Sequence, residues 1–309
     1  MFTSKFKQWL EEYDPYGLQR MALSKAVFVA TIATYVYWIF LPVSLQSFFA
    51  SFLVVAFYES PALVSFAEKE RLLIFITIAL ILISVSFYLV YPFKGTFFFF
   101  SVFVLAVTYF TVINYFYALK NLTMLLIVNG TIILGAQPEG NWQVAYNLAS
   151  SITLAMMTTF IALKIYPNHY LTIWNKAIQK FILCLEEDIE SAINQERKSL
   201  AQEITHIGMA RNMRKLIAHK YRSQAYRVGI NLRQIQQSLD IVYYETKNIP
   251  FWYAVKANLE TLRLNMDHYI PCSPLLVPIA PETKLQHYII NCLQQGFIHW
   301  NKLCYLLQK

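Results

Sequence analysis

Ionisable side chains are scarce in the first 166 residues, and Lys25, Glu59, Arg71 and Lys120 stand near the ends of long apolar runs. A carboxylate beside cations at such an edge can accept a proton or gate an anion, and a ring of lysine and arginine attracts anions by Coulomb's law. Lys25, Arg71 and Lys120 are therefore read as a positive vestibule. A plainer reading holds beside it, in which cations mark the cytoplasmic ends of membrane spans and snorkel to the interface. A dedicated proton or ion relay would carry Asp, Glu, His or Arg deep within a span, and the middle of every run lacks them.

The uncharged polar residues form stripes. Ser44, Ser47 and Ser51 recur at helical spacing, as do Asn147, Ser151, Ala155, Thr158 and Ala162, so each set lies on one helix face. Small faces let helix backbones approach closely, and the same faces can line a polar path. Asn114 and Asn129 lie deeper, where they serve either as interhelical hydrogen-bonding groups or as substrate contacts.

In the second half, a 100° step from Arg211 to Arg233 gathers Arg211, Arg214, Lys215, Arg222 and Arg233 on one side and Met213, Ile217, Tyr221, Val228 and Leu232 on another. One continuous surface helix is expected, its basic face meeting a partner, anionic lipid, an incoming substrate or water. The six histidines show no metal-ligand spacing. The four cysteines form no CxxC pair, so thiols in a reducing compartment are expected rather than a zinc site or a disulfide framework. No catalytic set, metal or cofactor is predicted, and an integral membrane enzyme is disfavoured because no His, Asp or Glu cluster converges.

The elements that position these residues follow from composition. The chain has 309 residues, 57% of them hydrophobic and only 14% charged, where soluble domains carry about 25%. A membrane span needs about 20 apolar residues. Six are expected, at 22–41, 43–58, 72–91, 97–117, 121–136 and 145–166, between a cytoplasmic segment 1–21 and a cytoplasmic helical domain 167–309. The first twenty residues lack a signal-peptide pattern and are expected to be retained. Orientation follows from the short connections: Lys69, Arg71 and Lys120 fall on the side of the N-terminus and Lys94 on the other, so both termini are placed inside. The stretch FYESPALVSFAEKER (57–71) becomes the inner connection between the second and third spans, with Glu59 as its plain end or as a proton acceptor. Amphipathic helices are expected at 169–196, 211–233, 251–270 and 282–307, the last two separated by PCSPLLVPIAP, whose prolines forbid a continuous helix. The fold class is all-α. The net charge of +8 fits a positive-inside membrane protein, and no nucleic-acid partner is inferred.

The approach DPYGLQRMALSKA, the loop ESPALVSFAEKER and a helical domain after six spans resemble the fusaric-acid-resistance family of aromatic acid exporters and, in outline, plant malate channels. The family often follows the arginine of this loop with Gly-Thr, whereas Arg71 is followed by LLIFITIALIL. The resemblance implies a homodimer in the bacterial inner membrane that exports small organic anions or aromatic compounds, in some cases with a periplasmic adaptor. By position, Lys25, Glu59, Arg71 and Lys120 would line the inner entrance; the polar stripes and deeper asparagines read above, Ser47, Ser51, Asn114, Asn129, Asn147 and Ser151, are the expected substrate path. The competing expectation is a membrane-anchored scaffold whose helical domain recruits a partner through Arg211, Arg214, Lys215 and Arg222.

Overall fold

The structure, a computed structural model, describes residues 5, 9–10, 12–42, 48, 54–55, 57–60, 63–117, 120, 123–124, 126–128, 141–194, 201–242, 248–275 and 280–308. Among these the chain is all-helical, with no strand. It divides into two compact units, one of Leu18–Pro167 and one of Met1–Gly17 with Asn168–Lys309.

The first unit contains α1 (Leu18–Phe40), α2 (Phe66–Val90), α3 (Lys94–Phe116) and α4 (Trp142–Ile165). Each has 23 to 25 residues. At about 1.5 Å per residue they are roughly 35 Å long, enough for the ~30 Å apolar core of a bilayer. Four helices, rather than the six expected, are thus long and apolar enough to cross a membrane among the described residues. The other two predicted spans, 43–58 and 121–136, fall mainly outside the described residues, and so do Ser44, Ser47, Ser51 and Asn129.

The spans expected at 22–41 and 72–91 begin earlier than the apolar runs suggest. A capping box starts α2: Glu68 N–H donates to Ser65 Oγ at 3.3 Å, while Ser65 N–H donates back to Glu68 Oε2 at 3.3 Å. The EKER charges are therefore the first turns of a helix and not a loop. Its buried face runs Lys69, Leu72, Leu73, Ile76, Leu80, Ile83 and Phe87, while Ile74, Ile78 and Leu82 are exposed. On α3 large apolar side chains point outward almost throughout, Phe98, Phe99, Phe103 and Phe110 among them.

Ring contacts give the helix directions. Phe87 lies 5.4 Å from Phe97 and Phe75 lies 5.2 Å from Phe116, so α3 runs antiparallel to α2. The end of α4 meets the start of α1, where the Tyr166 hydroxyl donates to Ser24 Oγ at 2.7 Å. Hence α1 and α2 lead away from one end of the unit, and α3 and α4 lead back to it.

The second unit is a helical bundle of α5 (Tyr170–Ile193), α6 (Ala201–Arg214), α7 (His219–Val242), α8 (Ile249–Asp267) and α9 (Lys284–Gln308). On α5, Ile173, Trp174, Ala177, Ile178, Phe181, Ile182, Leu185 and Ile189 repeat at three- and four-residue intervals and are buried. Trp252 of α8 and Trp300 of α9 complete an aromatic core. Arg263 grips Glu186 with two hydrogen bonds, 2.8 and 3.1 Å, joining α8 to α5. Tyr269 takes the left-handed conformation (φ 53°) just past α8, where Ile270 N–H reaches back to Asn265 O at 2.9 Å. Its ring stacks on Trp300 at 6.0 Å, and Asn301 fixes the following chain through two hydrogen bonds with the Cys272 backbone. A proline-rich connection is thereby pinned to α9.

The expected continuous helix from Arg211 to Arg233 is a correction. The chain breaks between α6 and α7, at 215–218, without proline or glycine. Leu216 and Ile217 both turn inward at the break, and Arg222 donates to the carbonyls of Lys215 (2.9 Å) and Ile217 (3.2 Å). Burial of two adjacent apolar residues, with an arginine satisfying the released carbonyls, outweighs local helix propensity here.

Residues up to Gly17 belong to the bundle unit rather than forming a separate segment. Within it Tyr16 Oη lies 2.7 Å from His206 Nδ1. The four cysteines are buried thiols, and burial pushes the Cys304 thiol up to about 12. Burial first, then neighbouring Lys180, holds His206 below the ordinary imidazole range despite Glu203; burial, Arg227 and Lys302 do the same for His299. The unfolded chain therefore binds protons that the bundle does not, and this contribution is present above about pH 6.5 and lost as pH falls. Thermal unfolding followed by circular dichroism should show a midpoint that drops on acidification from neutral pH, with a shallower drop in a His206→Asn/His299→Gln variant. An unchanged slope would show that these histidines do not govern it.

Candidate functional site: a buried lysine–glutamate–lysine cluster

At the end of the first unit where α1 and α2 begin and α4 finishes, three charged side chains are buried together. Glu59 Oε1 accepts from Lys25 Nζ at 2.6 Å, and Glu59 Oε2 accepts from Lys69 Nζ at 3.1 Å. Side-chain exposures of 4% for Lys25 and 1% for Glu59 and Lys69 put the whole cluster out of water.

Each partner arrives by a separate structural device. Lys25 lies on the inward stripe of α1 with Met21, Val29 and Ala33, at four-residue intervals. Lys69 is the fourth residue of α2, so the Ser65–Glu68 capping box that sets the helix start also sets its position. Glu59 comes from the chain returning beside α1. Phe48 stacks edge-on against Tyr37 at 5.6 Å, and Glu59 pairs with Lys25, so positions eleven apart on the returning chain match positions twelve apart on α1.

Aromatic rings close the site. Tyr58 lies 4.7 Å from Lys69 Nζ and 5.7 Å from Lys25 Nζ, and the Tyr166 ring lies 5.4 Å from Lys25 Nζ. Ring faces carry negative potential, so both rings stabilise the ammonium groups where water is absent.

The other predicted site residues do not join this cluster. Arg71 is two residues beyond Lys69, about 200° round the helix, and is exposed. Lys120 is exposed after α3, at the same end as the cluster. This end of the unit is thus an ion-paired core with an exposed basic rim, and not a ring of three equivalent cations. Glu70 beside Arg71 makes a 3.4 Å pair with Lys164, with both side chains about half exposed.

Asn114 is exposed on α3. Asn147 is half-buried, and its carbonyl accepts from the Ser151 hydroxyl at 2.8 Å. The Thr158 and Thr159 hydroxyls likewise bond carbonyls of their own helix, at 2.8 and 2.9 Å. Ala155 packs against Ala33 of α1 and Phe48. The α4 stripe therefore serves close helix packing.

Lys69 was missed as a site residue because it was read only as a topology marker. One signal was present, the S-x-x-E at 65–68 that sets where α2 begins; the face that turns inward was not marked, because α2 is apolar all round.

Comparison with known proteins finds no matching family model, and neither a curated protein nor a solved structure matches the chain.

Removing one member of a buried ion pair leaves a charge without compensation, at a cost of about 3–5 kcal/mol, whereas exposed pairs contribute about 0–1 kcal/mol. Equilibrium unfolding in mixed micelles should place Glu59→Gln in the first class and Glu70→Gln in the second. Equal effects would mean that Glu59 is not a buried partner of both lysines.

Proposed function

We propose that the chain is an inner-membrane exporter or channel for small organic anions, aromatic carboxylates among them, working as a homodimer with both termini in the cytoplasm. The carrying observation is the pair of buried lysines held on one carboxylate. Ionisable groups inside a membrane unit are functional candidates by default, because their burial is costly. A substrate carboxylate has the same head group as Glu59. It can replace Glu59 at either lysine, so the arrangement reads as a closed gate in which an internal carboxylate occupies an anion site.

The directions of the described helices support a six-pass membrane domain. Helices α1 and α2 both leave the cluster end, so the chain must come back between them; α3 and α4 both return to it, so the chain must go out again between those two. Outward-facing phenylalanines on α3 suit lipid or a second subunit. The positive residues Arg71, Lys120 and Lys164 stand at the cluster end and Lys94 at the other, a distribution that supports an inward-facing cluster. A six-pass unit followed by a helical domain is what the fusaric-acid-resistance resemblance implies, and an adaptor on the outer face belongs to the same proposal.

Two experiments test this. With the native cysteines replaced, Lys94→Cys should react with an impermeant maleimide on intact cells and Lys120→Cys only after permeabilisation; the reverse pattern would overturn the orientation. Proteoliposomes should pass benzoate and malate, and a Lys25→Met/Glu59→Leu/Lys69→Met variant, folded by its melting curve, should lose this flux. Flux equal to wild type in that variant would reduce the cluster to a structural device.

A further inference from the structure

The break between α6 and α7 divides the basic face between two antiparallel helices, and the division creates a groove. Arg211 and Arg214 stand on the α6 side and Arg233 on the α7 side, around a cavity of about 300 Å³. Its floor is apolar, made by Trp174 of α5 together with Ala225 and Gly229 of α7. A methyl group built on Gly229 would meet nothing within 4 Å, so the floor is open at that point. Among the described residues, no carboxylate pairs with any of the three guanidinium groups. Arg214 lies 4.2 Å over the Tyr226 ring, which orients its planar fork at the groove edge. By contrast Arg222, on the same helix as Tyr226, is turned onto backbone carbonyls.

The volume is at the lower end of the ~300–1,000 Å³ typical of small-molecule sites. Apolar flooring with convergent arginines is the pattern that binds a flat apolar body by burial and an anionic head by bidentate hydrogen bonds. An acidic macromolecule would be held by the rim alone and would leave the floor uncovered. We propose that the groove between α5, α6 and α7 is a binding site for a small aromatic carboxylate, its ring over Trp174 and Gly229 and its carboxylate on Arg211, Arg214 and Arg233. This site is separate from the lysine–glutamate cluster and gives the bundle a ligand-sensing role, so its test is a binding measurement that does not depend on flux.

The full-length protein in lipid nanodiscs is dialysed to equilibrium against naphthalene-2-carboxylate, with empty discs subtracted. The neutral isostere naphthalene-2-carboxamide and inorganic phosphate serve as the two comparison probes. Wild type should bind the carboxylate more tightly than about 1 mM, and the amide and phosphate at least about tenfold more weakly. Arg211→Gln/Arg233→Gln should weaken the carboxylate by at least about tenfold while the amide changes little. Gly229→Leu fills the floor without removing charge and suits a helix interior, so it should weaken carboxylate and amide together. Arg227→Gln, exposed on α7 outside the groove, should leave binding unchanged. The proposal is overturned if wild type does not bind the carboxylate, if phosphate or the amide binds as well, or if neither groove variant weakens binding in a protein that melts as wild type.

Discussion

The membrane-type unit is organised around one interaction, the burial of Glu59 between Lys25 and Lys69. Three formal charges placed in an apolar helical unit must be compensated locally, since desolvation costs several kcal/mol per ion. Compensation here fixes geometry. Glu59 reaches both lysines only if the chain returns alongside α1, and Lys69 is in place only if α2 begins at its capping box. The direction of the returning chain and the starting residue of α2 are thus tied to the same charge cluster.

Such a cluster is a poor source of net stability, because apolar residues of similar volume often serve as well. Its value lies elsewhere, in specifying one arrangement and, in the proposed function, in keeping two ammonium groups ready for a substrate carboxylate. The bundle unit uses the opposite strategy. Its core is aromatic and aliphatic, its Arg263–Glu186 pair lies at the margin, and three arginines with no carboxylate partner among the described residues sit around a groove at the surface. One unit hides cations on an internal carboxylate, and the other presents them to solvent.

Much of this was legible in the sequence, unevenly. Four of the six apolar runs, and the amphipathic segments at 169–196, 251–270 and 282–307, correspond to described helices because length and periodicity carry that information directly. The break at 215–218 was not legible, since its cause is the burial of Leu216 and Ile217 together with a reach-back by Arg222. Neither leaves a proline or glycine behind. The inward position of Lys69 was hidden for another reason: α2 is apolar on all sides, so its buried face cannot be picked out by hydrophobicity. Glu59 was singled out as a charged residue at the end of an apolar run, but its burial between two lysines depends on a return of the chain that spacing along one helix cannot express. On α4 the Ser151 and Thr158 hydroxyls bond carbonyls of their own helix, which helical spacing alone does not distinguish from hydroxyls that face a path.

The central claim is that Glu59 and Lys25 act as a coupled pair, and a double-mutant cycle measures that coupling without reference to transport. Unfolding free energies are compared for wild type, Lys25→Met, Glu59→Leu and the double variant, all in the same micelles. A buried direct pair predicts that the double variant is more stable than the sum of the single losses implies, by about 1–3 kcal/mol. Additive losses within about 0.5 kcal/mol would contradict the account, since residues without a direct interaction add to that accuracy.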